Sequence, residues 1–376
     1  MEFSKKDTAV AKGVAILFLI AYHCFSSADR LNGCDVSFFP ISQDLAFAIF
    51  ESMNICVGMF AFLSAYGLTR TLRYKHPQLD ASAGEYMEFV TKRIISLEAA
   101  FFIPFVIGVS VSFFVTGKTP HGSGASAVLN LIFDMFGVSG FFNTPTMIGT
   151  WWYMSFALLI IVLIPFTVAL HKKFGALCIV PYLVVPVLLF PDFLKGSNLT
   201  NMTRWLLTIP LGVVFADYGI LEKLRSVSVC KNKILGRLIK FAVLTLLLAF
   251  LFVLRRTSWC TEKFFYCISS ILPVFFVYYL YEFVSDIPVV STVLGFFGRH
   301  SSNIFFLHTF VRAVWFPKFT YSFRYAIVIF LFMTASSLAM SFGVEGIKKL
   351  VRWDSAVKKA TKKILNHQSK LLASYK

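Results

Sequence analysis

Residues 9–25, AVAKGVAILFLIAYHCF, hold two side chains that can do chemistry inside an otherwise apolar run, Lys12 and His23. Eleven helical steps of about 100° bring the second within about 20° of the first, so both project from one face, about 16 Å apart along the axis. Ionisable groups in a membrane span are costly and generally face a polar cavity or a partner. There a near-neutral imidazole can take a proton from a hydroxyl, and an ammonium can steady developing negative charge. Taken alone, each has a plainer account: Lys12 snorkels to the headgroups, and His23 rests at the opposite boundary. Their shared face favours a function.

A second group follows in NICVGMFAFLSAYGLTRTLRYK, where the apolar run stops and Arg70 and Arg73 stand three residues apart. That spacing sets both guanidiniums on one helix face, an arrangement suited to bidentate hydrogen bonds with phosphate. An ordinary basic flank of a membrane span would look the same. Lys92 and Arg93 start the next apolar run and extend the basic patch, and Arg299 begins a later one. Two acids fall within expected spans. Glu51 is the better candidate to orient His23, while Glu98 suits Lys12 or Arg93; a protonated, packed carboxyl is the alternative for each. Trp151, Trp152 and Tyr153 are expected either to line a cleft, where aromatic faces can stack on a ligand, or to anchor the chain at the interface. His308 has no partner that the sequence names and reads as a polar core residue. No GxSxG, HExxH or Walker sequence occurs, and the cysteines show no metal-ligand spacing.

The elements that must position these groups are membrane helices. The chain of 376 residues is 57% hydrophobic and 15% charged, with a mean hydropathy of +0.73, too little charge to cover a soluble domain. Apolar runs of bilayer-spanning length recur along it. They predict an all-α polytopic membrane protein with about ten spans, near 9–25, 44–69, 94–116, 149–170, 176–190, 203–221, 239–254, 264–282, 292–315 and 323–342. Backbone groups in lipid must be satisfied within each segment, which excludes open strands. The net charge of +17 is concentrated in alternate connections and the tail, as the positive-inside rule expects for cytoplasmic termini, and not in a nucleic-acid-binding patch. Residues 1–342 read as one transmembrane domain. Residues 343–376 read as a basic amphipathic tail lying on anionic inner-leaflet lipid, or as a solvated helix.

Other features carry less. The seven cysteines read mostly as small apolar fillers, with a Cys24–Cys34 disulfide as the alternative on an oxidising face. Sequons at Asn198 and Asn201 matter only in a secretory eukaryotic setting. Lys5 and Lys6, an apolar run and Ser26-Ser-Ala28 imitate a cleavable signal, but Lys12 interrupts the run and a retained first span is expected. The 126–138 segment, in a long outer loop, leaves open whether it re-enters the membrane.

These motifs, in this order, resemble the membrane-bound acyltransferase-3 family, integral proteins that O-acylate bacterial surface glycans and similar acceptors. Lys12-Gly13 with His23 matches the family's opening motif, and Phe60-Ala-Phe-Leu-Ser64-Ala-Tyr-Gly67 with Arg70 and Arg73 matches the next. Lys92-Arg93-Ile94, Thr150-Trp-Trp-Tyr-Met-Ser155 and the late segment from Gly298-Arg299 to His308 follow in order. Phe156, Ala157 and Leu158 replace two glutamates of many members, as in branches that modify exopolysaccharide. The resemblance implies a multi-pass protein of a bacterial plasma membrane, an acyl-coenzyme A donor (acetyl-coenzyme A in the simplest case) on the cytoplasmic side, and a glycan acceptor outside. It also implies association with glycan biosynthesis or export machinery, and no metal.

On that basis Arg70 and Arg73, with Lys92 or Arg93 and Arg299, are expected to hold the coenzyme phosphates. Lys12 has two open roles, holding the pantetheine amides or stabilising negative charge. His23 is expected to act as general base, with a covalent acyl-histidine as the variant. The rival reading is a transporter or flippase of a lipid-linked or acidic glycan, which would show duplicated halves or paired broken helices. A third is a non-catalytic scaffold in a glycan export complex.

Overall fold

A computed structural model describes residues 2–188, 198–260 and 265–374. Among these residues the chain is helical, without a named strand. The helices are α1 (Lys5–Phe25), α2 (Gln43–Ser52), α3 (Ile55–Lys75), α4 (Ala83–Thr116), α5 (Gly124–Met135), α6 (Ser139–Phe142), α7 (Trp152–Phe174), α8 (Val180–Leu188) and α9 (Asn198–Arg204). There follow α10 (Thr208–Tyr218), α11 (Ile220–Ser226), α12 (Lys233–Arg255), α13 (Phe265–Phe283), α14 (Pro288–Phe310), α15 (Pro317–Ser322), α16 (Ala326–Leu350) and α17 (Trp353–Ser374).

Seven helical runs among the described residues are long and apolar enough to cross a bilayer. Several expected spans differ in extent, for local reasons. The span expected at 94–116 begins at Ala83, where Ser82 and Glu85 form a capping box, and ends at Gly117 in a left-handed cap. Those expected at 149–170 and 176–190 form one run in which a 3₁₀ turn, Gly175–Ile179, joins α7 to α8; residues 189 and 190 lie outside the described residues. The 292–315 run is helical as α14, but its Arg299-to-Asn303 polar stretch keeps it out of the seven. The 126–138 segment forms the 12-residue α5 and the turn after it. All seven cysteines are free, so Cys24 and Cys34 are not bridged.

The chain divides into two compact units, each assembled from three separate stretches. The first comprises residues 1–22, 50–75 and 166–301. Its core is α3 laid along α10 and α13. Within it α1 and α14 approach to backbone contact. A Cβ on Gly13 would strike the backbone of Leu294, and one on Gly298 would strike the backbone of Ala9. Ala9 and Gly13 are one turn apart, as are Leu294 and Gly298, so each helix presents a small-residue notch to the other.

The second unit comprises residues 23–49, 76–165 and 302–376. Trp151 is its aromatic centre, 1% exposed, with Phe101 and Phe310 packed edge-on against it and its indole N–H donated to the Phe306 carbonyl at 3.1 Å. Buried Asp134 staples the segment after α4. It accepts from His121 Nε2 at 3.0 Å, from the Thr146 hydroxyl at 2.6 Å and from the Met147 amide at 2.7 Å. α16 continues through residue 342 to Leu350, and the expected amphipathic tail is α17. Its start is fixed to α4, where Trp353 donates to the Ala99 carbonyl at 2.9 Å and stacks on Phe102. Further along, Gln368 donates to Thr91 at 3.2 Å.

Candidate active site

In the second unit His23, in the last turn of α1, and His308, near the end of α14, are both buried, 8% and 0% exposed. His23 Nδ1 lies 2.6 Å from His308 Nε2, with the two rings within 5° of parallel. The other nitrogen of His308, Nδ1, lies 3.0 Å from the Ile304 carbonyl and 2.9 Å from the Phe305 carbonyl. A carbonyl can only accept, so Nδ1 of His308 carries a proton. In the neutral ring its Nε2 is then the acceptor. His23 Nδ1–H must therefore donate to it, and the lone pair of His23 falls on Nε2. This tautomer is assigned from the hydrogen-bond network. His308 thus performs for His23 the orienting role usually given to a carboxylate. The Thr309 hydroxyl, which accepts from Thr150 at 3.3 Å, lies 3.1 Å from the same His308 Nε2.

The surroundings hold this pair in place. The Tyr321 hydroxyl donates to the Cys24 carbonyl at 3.0 Å, tying down the end of α1 beside His23. α14 gives way after Phe310 to a π-helical turn, Val311–Trp315, a distortion frequent at functional sites. That turn carries Arg312, 6% exposed, whose Nη1 donates to the Arg30 carbonyl at 3.2 Å. The charges of Arg30 and Arg312 both reach His23 and His308 through space.

The first unit contains the expected cationic cavity. A space of about 870 Å³ is lined by Lys5, Thr8, Tyr66, Arg70, Arg73 and Tyr74, among others. Arg70 is ion-paired with Glu2. Arg73 is more committed: it donates to the Ala216 and Asp217 carbonyls at the C-terminus of α10, and its Nε lies 3.5 Å from the Asp217 carboxylate. Asp217 also binds buried His171 at 3.0 Å. Arg73 therefore helps cap a helix as well as lining the cavity. Half-buried Lys12 makes no hydrogen bond or ion pair among the described residues.

Other expected site residues are placed differently. Glu51, expected to be buried and to orient His23, is 57% exposed and paired with Arg256 at 3.3 Å; its position at the solvent-accessible end of α2 leaves it to a surface cation. Glu98 is half-buried in an apolar cavity of about 620 Å³ with Phe102, Phe136 and Trp353. Lys92 is paired with Glu88, and Arg93 lies over the Phe89 ring, 5.4 Å from its centroid. Both belong to the second unit, not to the unit that holds Arg70 and Arg73. Arg299 is exposed and is not among the residues lining the Arg70 cavity. Trp151 cannot stack on a sugar, because core aromatics cover it. Trp152 and Tyr153 are half-buried, Trp152 stacked on Phe156 and Tyr153 edge-on to Phe305.

Sequence reasoning missed His308 as the partner of His23, and it missed Arg312 altogether. A usable signal was present for the first. Gly13 precedes His23 by ten residues, and Gly298 precedes His308 by ten. The two helices that meet at those glycines also carry the two histidines that meet. Nothing in the local sequence distinguishes Arg312 from a basic flank.

A family model described as an acyltransferase domain matches residues 9–345. No curated protein matches the chain significantly, and no solved structure does. The matched stretch takes in both histidines, the Arg70–Arg73 pair and nearly every helix described above, and the chain belongs to the acyltransferase-3 family of membrane acyltransferases.

Proposed function

We propose that the protein transfers an acyl group, acetyl in the simplest case, from acyl-coenzyme A to a hydroxyl of an extracytoplasmic or lipid-linked glycan. The observation that carries this reading is the His23–His308 hydrogen bond, which leaves an unprotonated Nε2 on a buried, oriented imidazole. Such a nitrogen can accept the proton of an acceptor hydroxyl as its oxygen attacks the thioester carbonyl. The tetrahedral intermediate then collapses, the carbon–sulfur bond breaks, and the imidazolium returns its proton to the departing thiolate.

The cavity around Lys5, Arg70 and Arg73 fits the donor's phosphates by charge and hydrogen-bonding capacity. Its volume lies within the usual range of ligand pockets, about 300–1,000 Å³. A pantetheine arm extended along α1 would pass Lys12, whose ammonium can bind its amide oxygens. The acceptor glycan, a bacterial plasma membrane, cytoplasmic termini and glycan-assembly partners complete the proposal; the distribution of basic residues and the chain's resemblance to proteins that O-acylate surface glycans support them.

The test is transfer of labelled acyl groups from acyl-coenzyme A to surface glycan in membranes bearing wild type or His23→Ala at matched levels. The expected result is labelled glycan with wild type and a loss of at least about 100-fold in the variant, the lower range for removing a positioned base. Normal labelling by His23→Ala would overturn the mechanism. If wild-type protein neither binds acyl-coenzyme A nor labels glycan, the donor assignment fails.

A further inference from the structure

Arg312 is a buried cation without a counter-ion. Its guanidinium is more than nine-tenths buried, its Nε has no hydrogen-bond partner, and no ion pair answers it among the described residues. Other acids of the same unit are engaged elsewhere: Asp35 pairs with Arg324 at 3.6 Å, Asp134 is taken up by His121, Thr146 and the Met147 amide, and Glu345 holds Lys348 and Asn303. Asp29 is exposed to the outside of the unit. Arg312 is hydrogen-bonded to the Arg30 carbonyl and to the Tyr321 hydroxyl, and the second charge that reaches the same groups, that of Arg30, has the same sign as its own.

Burying an unpaired charge costs several kcal/mol, and replacing such a group by an apolar one is normally neutral or stabilising. Bonds to a loop carbonyl and a tyrosine hydroxyl do not need a full guanidinium. The charge is explained if its counter-charge appears only during the reaction.

We infer that Arg312 is the oxyanion-stabilising residue of the acyl transfer, its free Nε–H donating to the carbonyl oxygen as that oxygen gains negative charge. The inference rests on His23 acting as the base. When the acceptor oxygen bonds to the acyl carbon, the carbonyl electron pair moves to oxygen and the hydroxyl proton moves to His23 Nε2. Two cations, Arg312 and the new imidazolium, then flank one anion. In the resting pair there is no anion to answer Arg312. Collapse reverses both changes: the electron pair reforms the carbonyl, the leaving group departs with the bonding pair, and the proton leaves His23.

The experiment uses the full-length protein in detergent or nanodiscs with two donors: acyl-coenzyme A, and p-nitrophenyl acetate with water or a soluble sugar as acceptor. The second needs neither coenzyme binding nor the native glycan. Wild type, Arg312→Lys, Arg312→Gln and Arg312→Gly are compared, with melting temperature as a check on folding. Arg312→Gln should lower kcat about 10²–10³-fold, the loss typical of a missing oxyanion donor, with KM changed less than about threefold. Arg312→Lys should lie between it and wild type, and added methylguanidinium should restore Arg312→Gly at least about tenfold. A folded Arg312→Gln with kcat within about threefold of wild type overturns the inference, as does a loss confined to KM or a folded Arg312→Gly that methylguanidinium does not rescue. If Arg312→Gln and Arg312→Gly fail to fold, a folded Arg312→Lys whose kcat for the ester is lowered but stays well above that of His23→Ala supports the inference, and one with kcat unchanged or as low as His23→Ala overturns it. If acyl-coenzyme A is not used but ester cleavage depends on both His23 and Arg312, the donor assignment falls and this inference stands. If ester cleavage is independent of His23 and of Arg312, both fall.

Discussion

A hydrogen bond between two imidazoles serves a base only when something fixes which nitrogen holds the proton. Here two carbonyls of α14 do so from the far side of His308. The consequence can be tested at this residue without touching His23. His308→Ala should leave His23 free to rotate and to exchange tautomers, lowering kcat by about 10²-fold, within the range for a mispositioned general base, with donor affinity unchanged. His308→Gln offers a side-chain oxygen to His23 Nδ1 and should recover part of the loss; equal rates for both variants and wild type would remove His308 from the mechanism. The sequence identified His23 through its shared face with Lys12, but it directed attention to Glu51. A carboxylate is the commoner partner of a base, and Glu51 falls on the outer half of the second expected span, towards the face where His23 is expected. His308 lies 285 residues away, and no local pattern encodes a contact of that range. Arg312 was hidden for a different reason: burial gives it meaning, and burial is a property of the packed helices.

At the scale of the helices, the contact of α1 with α14 is set by what is missing from two residues. Gly13 and Gly298 allow each backbone to enter the notch of the other. Gly13→Val or Gly298→Val should therefore separate the two helices and destabilise the protein by about 1–3 kcal/mol, the usual cost of overpacking. A lowered melting temperature in detergent checks this, and Gly67→Val is the control, since a Cβ there meets nothing within 4 Å. An unchanged melting temperature for both notch variants would contradict the close crossing. The family-like motifs Lys12-Gly13 and Gly298-Arg299 thus combine a packing residue with a charged one. Hydropathy located most of the helices correctly but misjudged their ends. Capping by Ser82 and Glu85 extends α4 well beyond its apolar run, and a polar stretch inside α14 lowers its apolar signal without breaking the helix.

For the molecule as a whole, charge asymmetry argues for both termini on the cytoplasmic side. Single cysteines placed at Asp29 and at Lys370 in a cysteine-free protein test this in intact cells. A membrane-impermeant maleimide should label the first directly and the second only after permeabilisation; the opposite pattern would invert the topology. The tail shows what a one-dimensional reading leaves out. Its helical period was legible from Val357, Ile364 and Leu365, but the surface it meets was not, because Trp353 finds Ala99 and Phe102 only after both helices have formed.

The long separation between the paired histidines also bears on the birth of the protein. His23 enters the bilayer with α1, whereas His308 is translated 285 residues later. Throughout that interval the nascent chain holds an imidazole with no assigned proton and no fixed direction. The oriented nitrogen is thus a late product of biosynthesis, and a chain released before α14 is inserted would lack it.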